Sequence, residues 1–215
     1  MINTLFSNEQ YTVKRFVLGP LKTNCYVLFN HNKDAIIIDP GYYDPILTDW
    51  LQSNNINPIM ILLTHCHFDH ILGIKMFPNL PVYVHENDIE LLLDDNKNAA
   101  KVYNLSVEYN KNNIISFKDG FKIPCDFADI KAIHTPGHTK GSTSYLALKK
   151  ILFTGDAIFA GTVGRYDLWG GSEQETKETV KKICNLKQNY SIYPGHGRTS
   201  TLEAEKCNNP HFLQV

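Results

Sequence analysis

Leu62-Leu63-Thr64-His65-Cys66-His67-Phe68-Asp69-His70 puts three histidines and an aspartate within six positions, directly behind the apolar run Pro58 to Leu63. The run reads as a buried strand. Imidazoles and a carboxylate gathered at its end are costly to build unless something binds there. The donor types suit Zn²⁺, Fe²⁺ or Mn²⁺ better than Ca²⁺ or Mg²⁺. His65 and His67, two apart past the strand, can turn toward one ion, while Asp69 and His70 address a neighbouring position. Four ligands are too many for one ion that must also hold a substrate, so a split between two ions makes better sense.

Working outward, three more donors follow β-like runs with glycine or proline beside them: His138 in Thr135-Pro136-Gly137-His138-Thr139, Asp156 in Phe153-Thr154-Gly155-Asp156, and His196 in Tyr193-Pro194-Gly195-His196-Gly197. Ligand sites in α/β sheets gather at such strand ends. A lone histidine is more often an ordinary side chain than a ligand, and His31, His85 and His211 are read that way. His134, close to His138, is a candidate for supporting the site from behind. Cys66 would point away from its neighbours in an extended stretch and is read as a non-ligand. Glu86 and Asp88 read as a helix start.

Upstream, Tyr11 to Leu18, Asn24 to Phe29 and Ala35 to Asp39 read as an antiparallel meander punctuated by Gly19-Pro20 and closed by Pro40-Gly41. Pro45 to Gln52 has helical spacing. Downstream come a helix from about Ile71, a strand Val82 to His85 and a helix Glu86 to Leu93. Residues 94–113, rich in Asn and Lys, suggest a surface excursion with a short helix. Ile114 to Phe117 and Phe121 to Ile123 flank Lys118-Asp119-Gly120, a hairpin signal. Strands follow at Ile130 to His134, Thr143 to Leu148, Ile151 to Phe153 and Tyr190 to Tyr193. Ser172 to Cys184 reads as a helix opened by a Ser172/Glu175 capping box, and Leu202 to Cys207 as a last helix. Strands then βα, twice, predict an α/β fold of two sheets packed face to face with helices outside. One domain over residues 1–215 is expected.

The chain has 215 residues, 21 Lys plus Arg against 22 Asp plus Glu, and 43% hydrophobic residues. That balance gives no electrostatic case for nucleic acid or an anionic membrane as partner. Five widely spaced cysteines without a C-x-x-C argue for a reducing compartment rather than a disulfide framework. Met1 to Gln10 lacks the order of a signal peptide, and the apolar runs are too short to span a bilayer. A cytoplasmic location is expected.

The sequence Thr64-His65-Cys66-His67-Phe68-Asp69-His70 resembles the T-H-x-H-x-D-H signature of the metallo-β-lactamase superfamily. The T-P-G-H-T, F-T-G-D and P-G-H-G motifs follow in that family's order, and Asn24-Cys25-Tyr26 and Ile38-Asp39-Pro40-Gly41 are also similar to family motifs. The likeness runs from about Val17 to Phe212. It implies an αβ/βα sandwich of two mixed sheets with two divalent ions, zinc first, iron and manganese as alternatives. His65, His67 and His138 would hold one ion, Asp69, His70 and His196 the other, and Asp156 would bridge them. The implied reaction is hydrolysis, with a hydroxide held between the ions as nucleophile and oriented by Asp69.

Within the superfamily, Gly164-Arg165-Tyr166-Asp167 looks like the glyoxalase II branch, which hydrolyses S-D-lactoylglutathione. The implied substrate is a small-molecule acyl-thiol. A thiolate leaves without much acid assistance, which suits a site with no evident extra acid. Only about twenty residues follow His196, so the chain resembles short bacterial members that lack the glutathione-binding helical domain. Arg165 and Asp167 read as a structural ion pair or as substrate contacts, and Lys140 as a solvated lysine or a contact for an anionic substrate. The alternatives are a one-iron persulfide dioxygenase, against which Pro194-Gly195-His196-Gly197 counts, a lactonase or β-lactamase, and a non-catalytic binding protein, which should have lost ligands.

Overall fold

The computed structural model describes residues 1–214 and divides into two compact units, Met1–Val84 with Ile89–Ser116, and His85–Asp88 with the chain from Phe117 onward. In the first unit, β1 (Ile2–Ser7), β2 (Tyr11–Leu18), β3 (Thr23–Asn30) and β4 (Asp34–Ile38) form an antiparallel meander. The helix α1 (Pro45–Ser53) then leads to β5 (Asn57–Leu62), and α2 (Phe68–Ile71) with a following 3₁₀ turn leads to β6 (Val82–His85). Strands β4, β5 and β6 run parallel. The short α3 (Ile89–Leu93) precedes β7 (Ile114–Phe117), which completes a mixed sheet in the order β1 to β7. β2 buries Val13 on one face and Phe16 and Leu18 on the other, and Ala35 to Ile38 of β4 are likewise buried on both faces, as a strand with a parallel neighbour requires. Asp44 caps α1 through its side chain, with Pro45 in the first turn where its missing N–H costs nothing.

The second unit is built from β8 (Ile130–His134), β9 (Thr143–Ala147), β10 (Ile151–Gly155), the small ribbon β11 (Ile158–Phe159) and β12 (Thr162–Val163), α4 (Glu173–Cys184), β13 (Ser191–Pro194), β14 (Ser200–Thr201) and α5 (Leu202–Asn208). Its sheet has the order β14-β13-β10-β9-β8, and only the β10–β13 pair is parallel. Ser172 caps α4 by accepting from the Glu175 N–H. Val180 and Ile183 of α4 are buried in a cluster with Leu152 and Ile192 of the sheet. Burying each aliphatic side chain contributes about 2 kcal/mol.

Both units are mixed sheets with helices, the α/β class expected. Two local expectations change and a third is refined. The helix anticipated from about Ile71 starts at Phe68, so Asp69 and His70 are helical, and Asp69 sits in the first turn where a carboxylate is favoured. Phe121–Ile123 pairs not with Ile114–Phe117 but with β8: Ile123 N–H donates to the Ile130 carbonyl and Ala132 N–H to that of Phe121. Finally, residues 94–113 form the expected surface excursion with a short helix, a 3₁₀ turn at Ala100–Tyr103, but the excursion is anchored at two positions. Asn98 and Ala100 are fully buried, and the Asn98 carbonyl accepts from the N–H of Phe68, the first residue of α2. Leu105 and Val107 pack on the Phe68/Leu72/Ala100 cluster. The polar composition of that stretch hid turns at Asp94, Asn98 and Asn110 whose side chains cap their own backbone.

Candidate metal centre

The first donor set lies in the first unit, past the end of β5. At the end of β4, Asp39 sits in the left-handed region, φ 51°, which a short polar side chain tolerates. Its carboxylate accepts from Thr64 N–H at 2.7 Å, from Thr64 Oγ1 at 2.6 Å and from His70 Nδ1 at 2.9 Å. This fixes two imidazole tautomers. Thr64 gives its one hydroxyl proton to Asp39, so at 3.1 Å from His65 Nδ1 it accepts, and that nitrogen carries the proton. His70 Nδ1 likewise donates to an acceptor-only carboxylate. In the neutral ring this leaves Nε2 as the unprotonated nitrogen of both. The His65 ring lies 4.1 Å from that of His70 and 4.9 Å from that of His67, centroid to centroid, and all three side chains are buried. His70 Nε2 is 3.5 Å from Asp69 Oδ2, and the same Asp69 oxygen accepts from Thr23 Oγ1 at 2.7 Å.

Donor atoms of Asp39, His65 and His70 also lie within 4.8 Å of one another. This trio is a hydrogen-bonded bracket rather than an ion site, because the Asp39 oxygens are engaged by three donors. Cys66 is buried, belongs to no donor cluster among the described residues, and forms no disulfide.

The second donor set lies in the second unit. His138 Nδ1 donates to the Arg165 carbonyl at 2.6 Å, which again leaves Nε2 as the donor atom. His138 Nε2 is 3.6 Å and His196 Nε2 3.5 Å from the same oxygen, Asp156 Oδ2. Those separations are long for hydrogen bonds. They match the edge, about 3.4 Å, of a tetrahedron with metal–ligand bonds of about 2.1 Å. One carboxylate oxygen flanked by two imidazoles is what a metal-binding aspartate needs, and the His and Asp donor chemistry fits a divalent first-row ion.

Two glycines hold this set in place. A Cβ at Gly164 would lie 1.9 Å from the Asp156 carbonyl oxygen and 3.1 Å from His138 Nδ1. At Gly137, φ +129°, a Cβ would lie 2.5 Å from the Thr176 nitrogen, inside the first turns of α4. Ser172 N–H donates to the Gly137 carbonyl and Thr179 Oγ1 to that of Pro136, docking α4 on the loop that carries His138.

The other sequence candidates have structural employment. Arg165 and Asp167 form an exposed bidentate pair at 2.7 and 2.8 Å, and hydrogen bonding from Arg165 lowers the Asp167 carboxyl to about 2. Arg165 meets the donor set through its backbone carbonyl, not its guanidinium. Lys140 Nζ stands 5.2 Å over the Trp169 ring. His85 and His134 stack face to face at 4.1 Å, and no donor cluster among the described residues includes them, His31 or His211. Sequence reasoning missed Thr23, whose partner lies 46 residues away, and the bracketing role of Asp39. It also missed Asp88, fully buried, which accepts from Thr139 Oγ1 and Gly141 N–H and shapes the turn after His138. No local signal gives these three their roles, because each acts on a residue distant in sequence.

The profile of the metallo-beta-lactamase superfamily matches residues 18–196, and the chain belongs to that superfamily. An uncharacterised protein of Mycobacterium tuberculosis is 36% identical over 216 residues, covering 93% of this chain and 96% of its own. A probable metallo-hydrolase of Bacillus subtilis is 29% identical over 203 residues, covering 92% and 95%. The hydroxyacylglutathione hydrolase GloC of Haemophilus influenzae is 28% identical over 199 residues, covering 87% and 91%. Among solved structures, the BLEG-1 B3 metallo-beta-lactamase superposes with a TM-score of 0.85 at 33% identity, covering 93% of this chain and 99% of that one. The di-iron-bound form of TTHA1623 superposes with a TM-score of 0.81 at 31% identity, covering 91% and 98%. The fold is the α/β fold of this superfamily of metal-dependent hydrolases. Among the described residues, no helix is long and apolar enough to cross a membrane.

Proposed function

We propose that the two donor sets serve one binuclear centre and that the protein hydrolyses thioesters. His65, His67 and His138 would hold one divalent ion and Asp69, His70 and His196 the other, with Asp156 shared, following the superfamily pattern. The observation that carries the reading is the way hydrogen bonds prepare the rings. His65, His70 and His138 each spend Nδ1 on a protein acceptor and keep Nε2 for a ligand. Zinc is proposed first, and the di-iron form of a 31% identical neighbour makes iron the alternative. Bound ions supply an activated water and polarise a substrate carbonyl.

This chain's residues do the rest. Thr23 holds the Asp69 carboxylate by Oδ2, so that Asp69 keeps one orientation for aiming the attacking water. Asp39 and Thr64 fix the His65 and His70 rings, and the Gly164–Arg165 backbone fixes Asp156 and His138. A thiolate departs without a strong general acid, which suits a site where the Asp39 and Asp69 carboxylates are engaged as acceptors. The likeness to GloC, named for acylglutathione hydrolysis, supports the thioester reading. We also propose a reducing, cytoplasmic setting, a reading supported by five widely spaced cysteines without a C-x-x-C motif.

The test is a panel of S-D-lactoylglutathione, other acyl thioesters, a lactone and a β-lactam, assayed on protein of measured metal content. Thiol release from thioesters, well above turnover of the lactone and β-lactam, is expected. No thioester cleavage by the two-metal form overturns the assignment.

A further inference from the structure

The first unit contains a cavity of about 220 Å³. Its walls are Leu18, Leu21, Tyr42, Phe68, Tyr103 and Leu105, and its polar side chains are Thr23 and Asp69. Asp69 is thus a member of the first donor set and of this wall at once. Leu21 is 42% and Tyr103 53% exposed, so the cavity opens to solvent between them. The wall is built rather than loose. The Phe68 and Tyr103 rings lie 4.7 Å apart, and Leu105 N–H donates to the Ala100 carbonyl within the anchored 94–113 segment.

Resting on the thioester reading, we infer that this cavity receives the acyl chain of the substrate and that the chain is apolar and uncharged. Among the described residues no basic side chain lines the cavity, so it offers no cation to pair with an anionic group such as the carboxylates of glutathione. An apolar cavity of about 150 Å³ holds a six-carbon ring. By the same scale 220 Å³ holds roughly eight carbons. A two-carbon acyl group would leave most of that apolar wall in contact with water. The carbonyl end of the chain is then placed beside Asp69, where the donor set needs it. The inference sets the preference by acyl length and leaves the thiol half to the rest of the surface.

The test uses S-acyl-N-acetylcysteamine thioesters from acetyl to dodecanoyl with the full-length, metal-loaded protein. From acetyl upward, kcat/KM should rise about fourfold per added methylene and level off near eight carbons. Calorimetric binding of octanamide, an uncharged analogue that releases no thiol, is measured beside acetamide and should be far tighter. Leu105→Trp, which fills the cavity, should flatten the length dependence and weaken octanamide binding. Leu21→Lys, at the exposed mouth, should do the same if Leu105→Trp fails to fold. Octanamide binding that depends on Leu105 or Leu21, with every thioester left uncleaved, supports the apolar cavity and overturns the hydrolase reading. Thioester cleavage with a flat length profile, and octanamide no tighter than acetamide, overturns the inference and leaves the hydrolase reading standing.

Discussion

Asp39→Asn probes the bracket behind the first donor set. The Asp39 carboxylate accepts three hydrogen bonds, two from Thr64 and one from His70, and is buried. An asparagine keeps one acceptor oxygen but turns an NH₂ toward a donor. If its oxygen stays with Thr64, its amide nitrogen meets His70 Nδ1. The ring can then satisfy it only by moving its proton to Nε2, the atom needed for the ion. Losing such an orienting partner costs 10- to 100-fold in metal affinity, about 1.4–2.7 kcal/mol. Metal-free stability should fall by about 1–3 kcal/mol for one mismatched buried donor. Chelator-competition titration and urea unfolding of the metal-free protein read the two effects separately. A variant that binds metal within twofold of the wild type refutes the claim that Asp39 sets the His70 tautomer.

Thr23→Val removes the hydrogen bond to Asp69, a charge-assisted bond of about 1.5–3 kcal/mol, and kcat should fall about tenfold or more with KM little changed, as steady-state thiol release would show. Gly164→Ala drives a Cβ into the Asp156 carbonyl, 1.9 Å away, and should cost about 1–3 kcal/mol of stability along with part of the bound metal, by urea unfolding and elemental analysis. The His85 ring is held down to about 4, first by burial and then by the charge of His134, with Asp119 opposing. Since the unfolded chain takes up that proton more readily, the stability from neutral His85 is complete above pH about 6.5 and is lost as pH falls toward about 4. The urea midpoint should therefore drop between pH 7 and pH 5, and by less in His85→Phe.

The fold was legible wherever periodicity met a boundary residue. Tyr11–Leu18 is rich in β-formers and ends at Gly19-Pro20, and Ser172 and Glu175 mark the start of α4. Expectations were wrong or incomplete where long-range pairing or self-capping turns decide the structure. Phe121–Ile123 chose β8 over its sequence neighbour, and Asn98 capped its own turn under α2. The proposed donors stood out because seven His and Asp residues stand in short motifs past strand ends, three of them beside Gly or Pro. Their orienting partners were not, because Thr23–Asp69 and Asp39–His70 are contacts between distant positions whose residue types are ordinary alone. Arg165 drew attention through its side chain, yet its carbonyl touches His138, and backbone acceptors leave no trace in residue identity.

The most direct measurement follows thiol release from an acyl thioester as a divalent metal is titrated into metal-free protein. The rate should climb until two equivalents per chain are bound, and Asp156→Ala should break that two-step rise. Saturation at one equivalent, or no thiol release at any metal content, contradicts a binuclear thioester hydrolase.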